Sequence, residues 1–348
     1  MPISTITAHF DTFPGQRLFV RGEGPLDWAF GQPMEPISSR SWRLKIEHQT
    51  PLEFKFRLDD RAWSQGAKNY RILPGQRRNF YPRFTASDGW ESTVWQLPHW
   101  NRLLNIQVYR PPGFQRGSQQ RYPVIYCLDG QNLFAPRQTP FGLVDWRLDE
   151  NLNSLINQNE IVPALVVAID HRPDHYERLF DSTPSRGPKN RGGGAWHFAQ
   201  FLVHEVKRRM DREFPTLTDP ENTGLLGSSM GGLFALYAAR EFPEVFGRVA
   251  AMSPSFWWDA EHIYRDIDAS QRHDPQRIYL DAGTKEGEDP DMVVRQVFNV
   301  KRALEADGWE EEEDLKVEIF QGAEHNEVAW SQPWRIGTPL SFLFPWSG

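Results

Sequence analysis

From about Ser92 onward, uninterrupted apolar runs alternate with stretches of helical apolar spacing. The runs are VIYCLDG, IVPALVVAID, TGLLG, RVAAMSP, RIYLDAG and LKVEIFQG; the helical stretches include WHFAQFLVHEVKRRMDREF, GGLFALYAAREF and MVVRQVFNVKRALEADG. A strand without polar alternation is buried on both faces, and parallel neighbours need a crossover between them. This rhythm therefore predicts an α/β fold, a mainly parallel central sheet with helices on both sides. The stretch from His171 to Gly194 is rich in Arg, Pro and Gly and is predicted to be a long loop over the sheet's edge.

The first ninety residues differ. TITAHF, RLFVRG, SWRLKIEH, PLEFKFRL and NYRILPG are short β-like runs, separated by turn signals at Pro14-Gly15, Gly24-Pro25 and Pro74-Gly75. SWRLKIEH and PLEFKFRL alternate apolar and polar side chains, the period of half-buried strands. A chain of 348 residues has room for two domains. The expected division is a small antiparallel β-sandwich over residues 1–90 and the α/β domain over 91–348.

Composition removes several classes of function. A net charge of -7 argues against nucleic-acid binding, which draws on an excess of Lys and Arg. No apolar run is long enough to span a bilayer, and MPISTITAHFDTF lacks the basic start and apolar core of a secretory signal. The single cysteine, Cys127, lies within the apolar run YPVIYCL and reads as a buried thiol. These features fit a reducing cytoplasm. The 14 Trp occur in both halves and read mostly as core.

Gly227-Ser228-Ser229-Met230-Gly231-Gly232 lies between the strand candidate TGLLG and the helix candidate GGLFALYAAR, the context a G-x-S-x-G elbow requires. The tight turn lifts the Ser229 hydroxyl above the sheet at a helix N-terminus, where amide dipoles favour developing negative charge. Ser228 is the competing hydroxyl. A serine nucleophile needs a base and the base an orienting acid, in the chain order serine, acid, histidine. His262, His273 and His325 follow Ser229; of these, His325 in QGAEHNEVAW comes directly after the last strand candidate, at the strand end that faces a ligand crevice. Glu286, just past the glycine turn of RIYLDAGTKEGED, is the preferred acid, with Asp281 at the strand end as its alternative. The backbone amides of Met230 and of Gln131, the latter in Asp129-Gly130-Gln131-Asn132 where Gly130 lets the chain turn sharply, are the expected oxyanion donors.

No metal and no cofactor are predicted. His171 and His175 are four apart, but Pro173 between them opposes the helix that would bring them to one face, and Gly192-Gly193-Gly194 lacks the Lys-Ser/Thr of a phosphate loop. Asp170 to His175 reads instead as an active-site rim, braced by Arg178 and Asp181.

YPVIYCLDGQNLF, RLFDSTP, TGLLGSSMGGLFALYAAREFPEVFG, AAMSPSFWW, DAGTKEGED and GAEHNEVAW together resemble the esterase D group of α/β-hydrolases, which includes enterochelin esterases, feruloyl esterases and mycolyltransferases. The resemblance implies a serine carboxylic-ester hydrolase acting through an acyl-enzyme, and a Glu or Asp acid at the position of Glu286. A small-molecule ester is the expected partner, either a siderophore lactone or an acylated sugar. Phe256, Trp257, Trp258 and Trp330 are the expected lining of an aromatic substrate pocket. GQRLFVRGEGPLDWAFGQPM, SWRLKIE and PLEFKFRLDDRAWSQGAKNY are similar to starch-binding-type carbohydrate-binding modules. That likeness implies sugar stacking by Trp28 and Trp63, with Lys68 and Asn69 beside them, and a glucan as the ligand. Enterochelin esterases also carry an N-terminal β-sandwich. The rival readings are an acyltransferase on the same triad and a carbohydrate-binding protein with an inactive hydrolase half. The sequence carries no indication of oligomeric state.

Overall fold

A computed structural model of the chain describes residues 2–10, 16–38, 41–64, 69–80, 82, 84, 90–97, 102–114, 119–134, 137–139, 142–172, 174–264, 267 and 276–346. Lys68, His273, Pro173 and the turn at Pro14-Gly15 lie outside the described residues. The chain divides into two compact units, Met1–Trp90 with Pro112–Phe114, and Glu91–Pro111 with Gln115–Gly348.

The second unit is built on an eight-stranded sheet. Its strands are Trp90–Leu97 (β1), Arg102–Tyr109 (β2), Val124–Leu128 (β3), Leu165–Ile169 (β4), Thr223–Ser228 (β5), Arg248–Met252 (β6), Arg277–Lys285 (β7) and Leu315–Glu324 (β8), in the order β1-β2-β4-β3-β5-β6-β7-β8. β2 runs antiparallel to β4, and every pairing from β4 through β8 is parallel. The six predicted apolar runs thus form β3 to β8, while β1 and β2 were not among them, and each residue of β3, β4 and β5 is buried, as strands covered on both faces must be. Parallel pairing brings the carboxyl ends of β3, β5, β6, β7 and β8 to one edge.

The helices used below are Leu148–Asn157 (α1), His175–Ser182 (α2), the helix over 195–213 with a π turn at Leu202–Lys207 (α3), Met230–Glu241 (α4), Pro290–Ala306 (α5), Glu327–Trp330 (α6) and Pro333–Leu343 (α7). α4 is buried from Met230 through Arg240 and packs on β5 and β6, which is why its sequence is apolar all round. None of the helices, among the described residues, is long and apolar enough to cross a membrane.

The stretch after His171 differs from the expected loop: α2 forms there. Asp174 caps it, accepting from the amides of Tyr176 and Glu177, and the Gly- and Pro-rich part begins only beyond Ser182.

In the first unit, one sheet has the order Glu35–Ser38, Ser41–Glu47, Ile3–His9, Arg77–Phe80. The other joins Gln32–Pro33, Leu18–Gly22, Leu52–Leu58 and Ala62–Trp63, with Tyr70–Ile72 also pairing to Leu52–Leu58. One pair departs from the antiparallel expectation, since Ile3–His9 runs parallel to Arg77–Phe80. Ile6, Val20, Trp42, Leu44, Phe54, Phe56 and Phe80 belong to its core, and Ser41–Glu47 alternates inward and outward as its sequence pattern requires.

Candidate active site

Ser229 sits between the end of β5 and the start of α4 with φ 56° and ψ -123°, a conformation costly for any residue with a side chain. Small neighbours permit it: a Cβ on Gly227 would run into the Gly231 carbonyl. The Ser229 amide donates to the Met252 carbonyl at 3.0 Å, and its own carbonyl accepts from Ser255 N at 3.0 Å. Ser229 is partly exposed, whereas Ser228 is buried in the strand. Geometry thus separates the two candidate hydroxyls. The Ser229 Oγ lies 3.2 Å from Ser255 Oγ.

His325 follows β8, and its Nδ1 lies 3.0 Å from Glu286 Oε2. Glu286 is fully buried. Its Oε1 accepts from Gly283 N at 2.6 Å, Ser253 Oγ at 2.6 Å and an Arg335 guanidinium nitrogen at 3.0 Å. Burial pushes this carboxyl up, but the hydrogen bonds from His325 and Ser253 and the charges of His325 and Arg335 outweigh it, holding Glu286 below the usual carboxylate range. An ionised carboxylate only accepts, so the Nδ1 facing it carries the proton and Nε2 is left as the basic nitrogen.

Asp281 is equally buried and occupies a different place. It accepts from Arg335 at 2.8 Å, Ser253 N at 2.9 Å and the Tyr279 hydroxyl at 3.2 Å, and burial, incompletely offset by Arg335, pushes its carboxyl up. Of the two candidate acids, Glu286 is the one in contact with the imidazole.

Sequence reading passed over Ser253 and Arg335. Arg335, on α7, is fully buried and bridges Asp281, Ser253 and Glu286. Ser253 Oγ receives Arg335 at 2.7 Å and the Trp330 indole N–H at 2.9 Å. With both lone pairs filled, its single proton goes to Glu286. A Ser-Pro-Ser run directly after an apolar strand, at the sheet edge that carries Ser229, is the signal by which this segment could have been found.

The turn after β3 is a 3-10 helix, Gly130–Asn132. The left-handed residue that turns the chain is Asp129, at φ 54°. Gly130 is needed for another reason: a Cβ there would lie 2.5 Å from the Ala168 carbonyl carbon of β4. Asp129 takes a two-pronged ion pair from Arg178 on α2, at 2.8 and 2.7 Å. Burial pushes Asp129 up, and the charge and hydrogen bonds of Arg178 with the charge of His171 hold it low. A Cβ on Gly231 would fall 3.3 Å from Asp129 Oδ2, which brings this turn against the N-terminus of α4. Gln131 and Met230, the expected oxyanion donors, therefore belong to adjoining turns. The Gln131 side chain accepts from His171 N at 3.1 Å. Arg172 pairs with Asp181 through Nε and Nη2, each at 2.8 Å.

The aromatic expectation needs correction. Phe256 is fully buried; Trp258 is buried and donates to Ser185 O at 2.9 Å; Trp330 is buried edge-on to His325 at 5.0 Å. These rings are packed away from water, because their apolar bulk is worth more there. Trp257, 44% exposed, alone remains available to a ligand among the four. In the first unit, Trp28 and Trp63 lie 6.1 Å apart, and Arg57 sits 4.5 Å over the Trp63 ring. That guanidinium covers one face of the Trp63 ring in a cation–π contact. Asn69 donates to Glu53 at 3.3 Å. Among the described residues no group of His, Cys, Asp and Glu could hold a metal ion.

The family model described as Putative esterase matches residues 98–333. Bacillus subtilis YbbA is 24% identical over 227 residues, 63% of this chain and 84% of its own length. Ferri-bacillibactin esterase BesA of the same organism is 26% identical over 207 residues, 53% of this chain and 67% of its own. The enterobactin esterase FES from Shigella flexneri, solved in the presence of enterobactin, has the same fold, with a TM-score of 0.58 at 18% identity over 97% of this chain and 92% of that one. The elbow, the strand-end histidine and the family match agree: the chain belongs to the Putative esterase family and is a carboxylic-ester hydrolase with an α/β-hydrolase-like fold.

Proposed function

We propose that the protein cleaves its ester through an acyl-enzyme, with Ser229 as nucleophile, His325 as base and Glu286 as acid. The observation that carries this reading is the 3.0 Å contact of Glu286 Oε2 with Nδ1, which leaves Nε2 to take the serine proton. The Ser229 oxygen then attacks the carbonyl, and the amides of Met230 and Gln131 receive the oxyanion. Protonated His325 delivers its proton to the leaving alcohol, and a water activated by the same nitrogen releases the acid.

The substrate we favour is a siderophore ester of the kind named for BesA and FES, because the likeness to FES spans nearly the whole chain. An acylated sugar is the second reading, favoured by 24% identity over 77% of this chain to an endo-1,4-beta-xylanase/feruloyl esterase of Xylanibacter ruminicola. The single buried thiol, Cys127, supports a cytoplasmic location.

Hydrolysis of p-nitrophenyl acetate and butyrate by the wild type and Ser229→Ala tests the mechanism; activity surviving the substitution overturns it. Parallel turnover of a cyclic catecholate trilactone and a feruloylated xylo-oligosaccharide separates the two substrates. An alcohol acceptor in the same assay distinguishes transfer from hydrolysis, since a transferase yields the new ester in place of free acid.

A further inference from the structure

The segment leaving β6, Ser253-Pro254-Ser255, touches both ends of the proposed triad. Ser253 is held at φ 42°, a left-handed conformation unusual for serine. Its neighbours fix it there: its amide donates to the Asp281 carbonyl at 3.1 Å and to Oδ1 at 2.9 Å, and its hydroxyl is filled on all sides by Trp330, Arg335 and Glu286. Pro254, with φ locked by its ring, carries the chain from that anchor to Ser255. Ser255 is 3% exposed and approaches Ser229 twice, by its amide to the Ser229 carbonyl and by its hydroxyl to the Ser229 hydroxyl.

A count of protons assigns the direction of the hydroxyl contact. Each serine hydroxyl has one proton and two lone pairs. If Ser229 donated to Ser255, its proton would be turned away from any base, and the buried Ser255 proton would have to find another acceptor. If Ser255 donates, its buried hydroxyl is satisfied and the Ser229 proton is free for Nε2.

We infer that Ser255 is a further catalytic residue: its hydroxyl donates to Ser229 Oγ, fixes that rotor and directs the Ser229 proton to His325. As the Oγ–carbon bond forms, the O–H bond breaks, the proton passes to Nε2, and the carbonyl electron pair moves to the oxyanion. Ser255 meanwhile keeps its hydrogen bond to the lone pair not used in attack and offsets the charge that builds on Oγ. The inference rests on the reading of Ser229 as nucleophile.

The test compares wild type, Ser229→Ala, Ser255→Ala and Ser255→Cys for labelling by a fluorophosphonate probe, turnover of p-nitrophenyl butyrate and thermal midpoint. Loss of one hydrogen bond to a reacting atom is expected to slow labelling and kcat of Ser255→Ala together, by about tenfold, with KM unchanged. A thiol is a weak donor of similar shape, so Ser255→Cys falls between alanine and wild type. A wild type that resists the probe refutes the nucleophile itself. A wild type labelled at Ser229, with Ser255→Ala labelled as fast or faster, refutes Ser255 alone and makes its contact a resting position. Should Ser255→Ala lose its fold, the cysteine variant decides: wild-type rates in it overturn the proposal.

Discussion

Two fully buried carboxylates, Glu286 and Asp281, share the guanidinium of Arg335, yet only one faces the imidazole. Glu286→Gln puts an amide opposite Nδ1, which can donate and so favours the wrong tautomer; we expect kcat to fall by about 10²–10⁴. Asp281→Asn leaves that contact in place and is expected to act on the thermal midpoint more than on kcat. A larger kcat loss in the asparagine variant, with its fold intact, would reverse the two assignments. The pH dependence follows from the depressed Glu286 carboxyl. Its contribution to stability is present above the ordinary glutamate value of about 4.3 and is lost as pH falls through the lower folded-state value. Asp281, raised by burial, works in the opposite sense, since taking a proton relieves the folded state. Stability measured by denaturant titration should therefore fall less steeply below about pH 4.3 in Glu286→Gln than in wild type. The placement of Ser229, Glu286 and His325 was legible because each follows a strand, and parallel strands deliver their ends to one edge. Arg335 was not: an arginine within PWRIGTPLSFL gives no sign of zero exposure until the helix is docked. Phe256, Trp258 and Trp330 show the converse, since side-chain type announces an apolar ring but not the side of the chain it packs on.

At the scale of elements, α2 and the turn after β3 form one device. Arg178 reaches from the helix to Asp129, whose left-handed backbone starts the turn that bears Gln131. The Arg, Pro and Gly around Arg178 predict a loop and mask a helix only eight residues long. The core strands and long helices were legible from their periodicity, whereas this short helix depends on its Asp174 cap and on tertiary packing. Arg178→Met leaves a buried carboxylate unpaired, so the Asp129 carboxyl rises and the turn loses its anchor. Turnover of p-nitrophenyl butyrate should drop by about tenfold or more, as for a displaced oxyanion donor, with a smaller change in KM. Arg178→Lys, which keeps the charge and loses the fork, should recover part of the rate. Equal kcat in all three proteins would separate this ion pair from catalysis.

At the scale of the molecule, every residue placed in the chemistry lies in the second unit, while the first has a core of its own. A sandwich whose Phe54, Phe56, Tyr70 and Phe80 rings pack on one another buries its apolar surface internally. A unit with its own core can fold by itself, and we propose that the boundary at residue 90 divides two such domains. The segment Pro112–Phe114 clusters with the first unit, so any cut made by sequence position leaves these three residues on the other side of it. A fragment of residues 90–348 is accordingly expected to fold and to hydrolyse p-nitrophenyl acetate with kcat within about tenfold of the full chain, that segment being the expected source of any loss. Thermal unfolding of the full chain, followed by tryptophan fluorescence, should show two steps, of which phosphonylation of Ser229 raises only one, because a ligand stabilises the unit that binds it. A single step that moves as a whole on labelling, together with an inactive and unfolded fragment, would mean that the sandwich is part of the catalytic domain's own stability and that the chain has one cooperative unit where its contacts outline two.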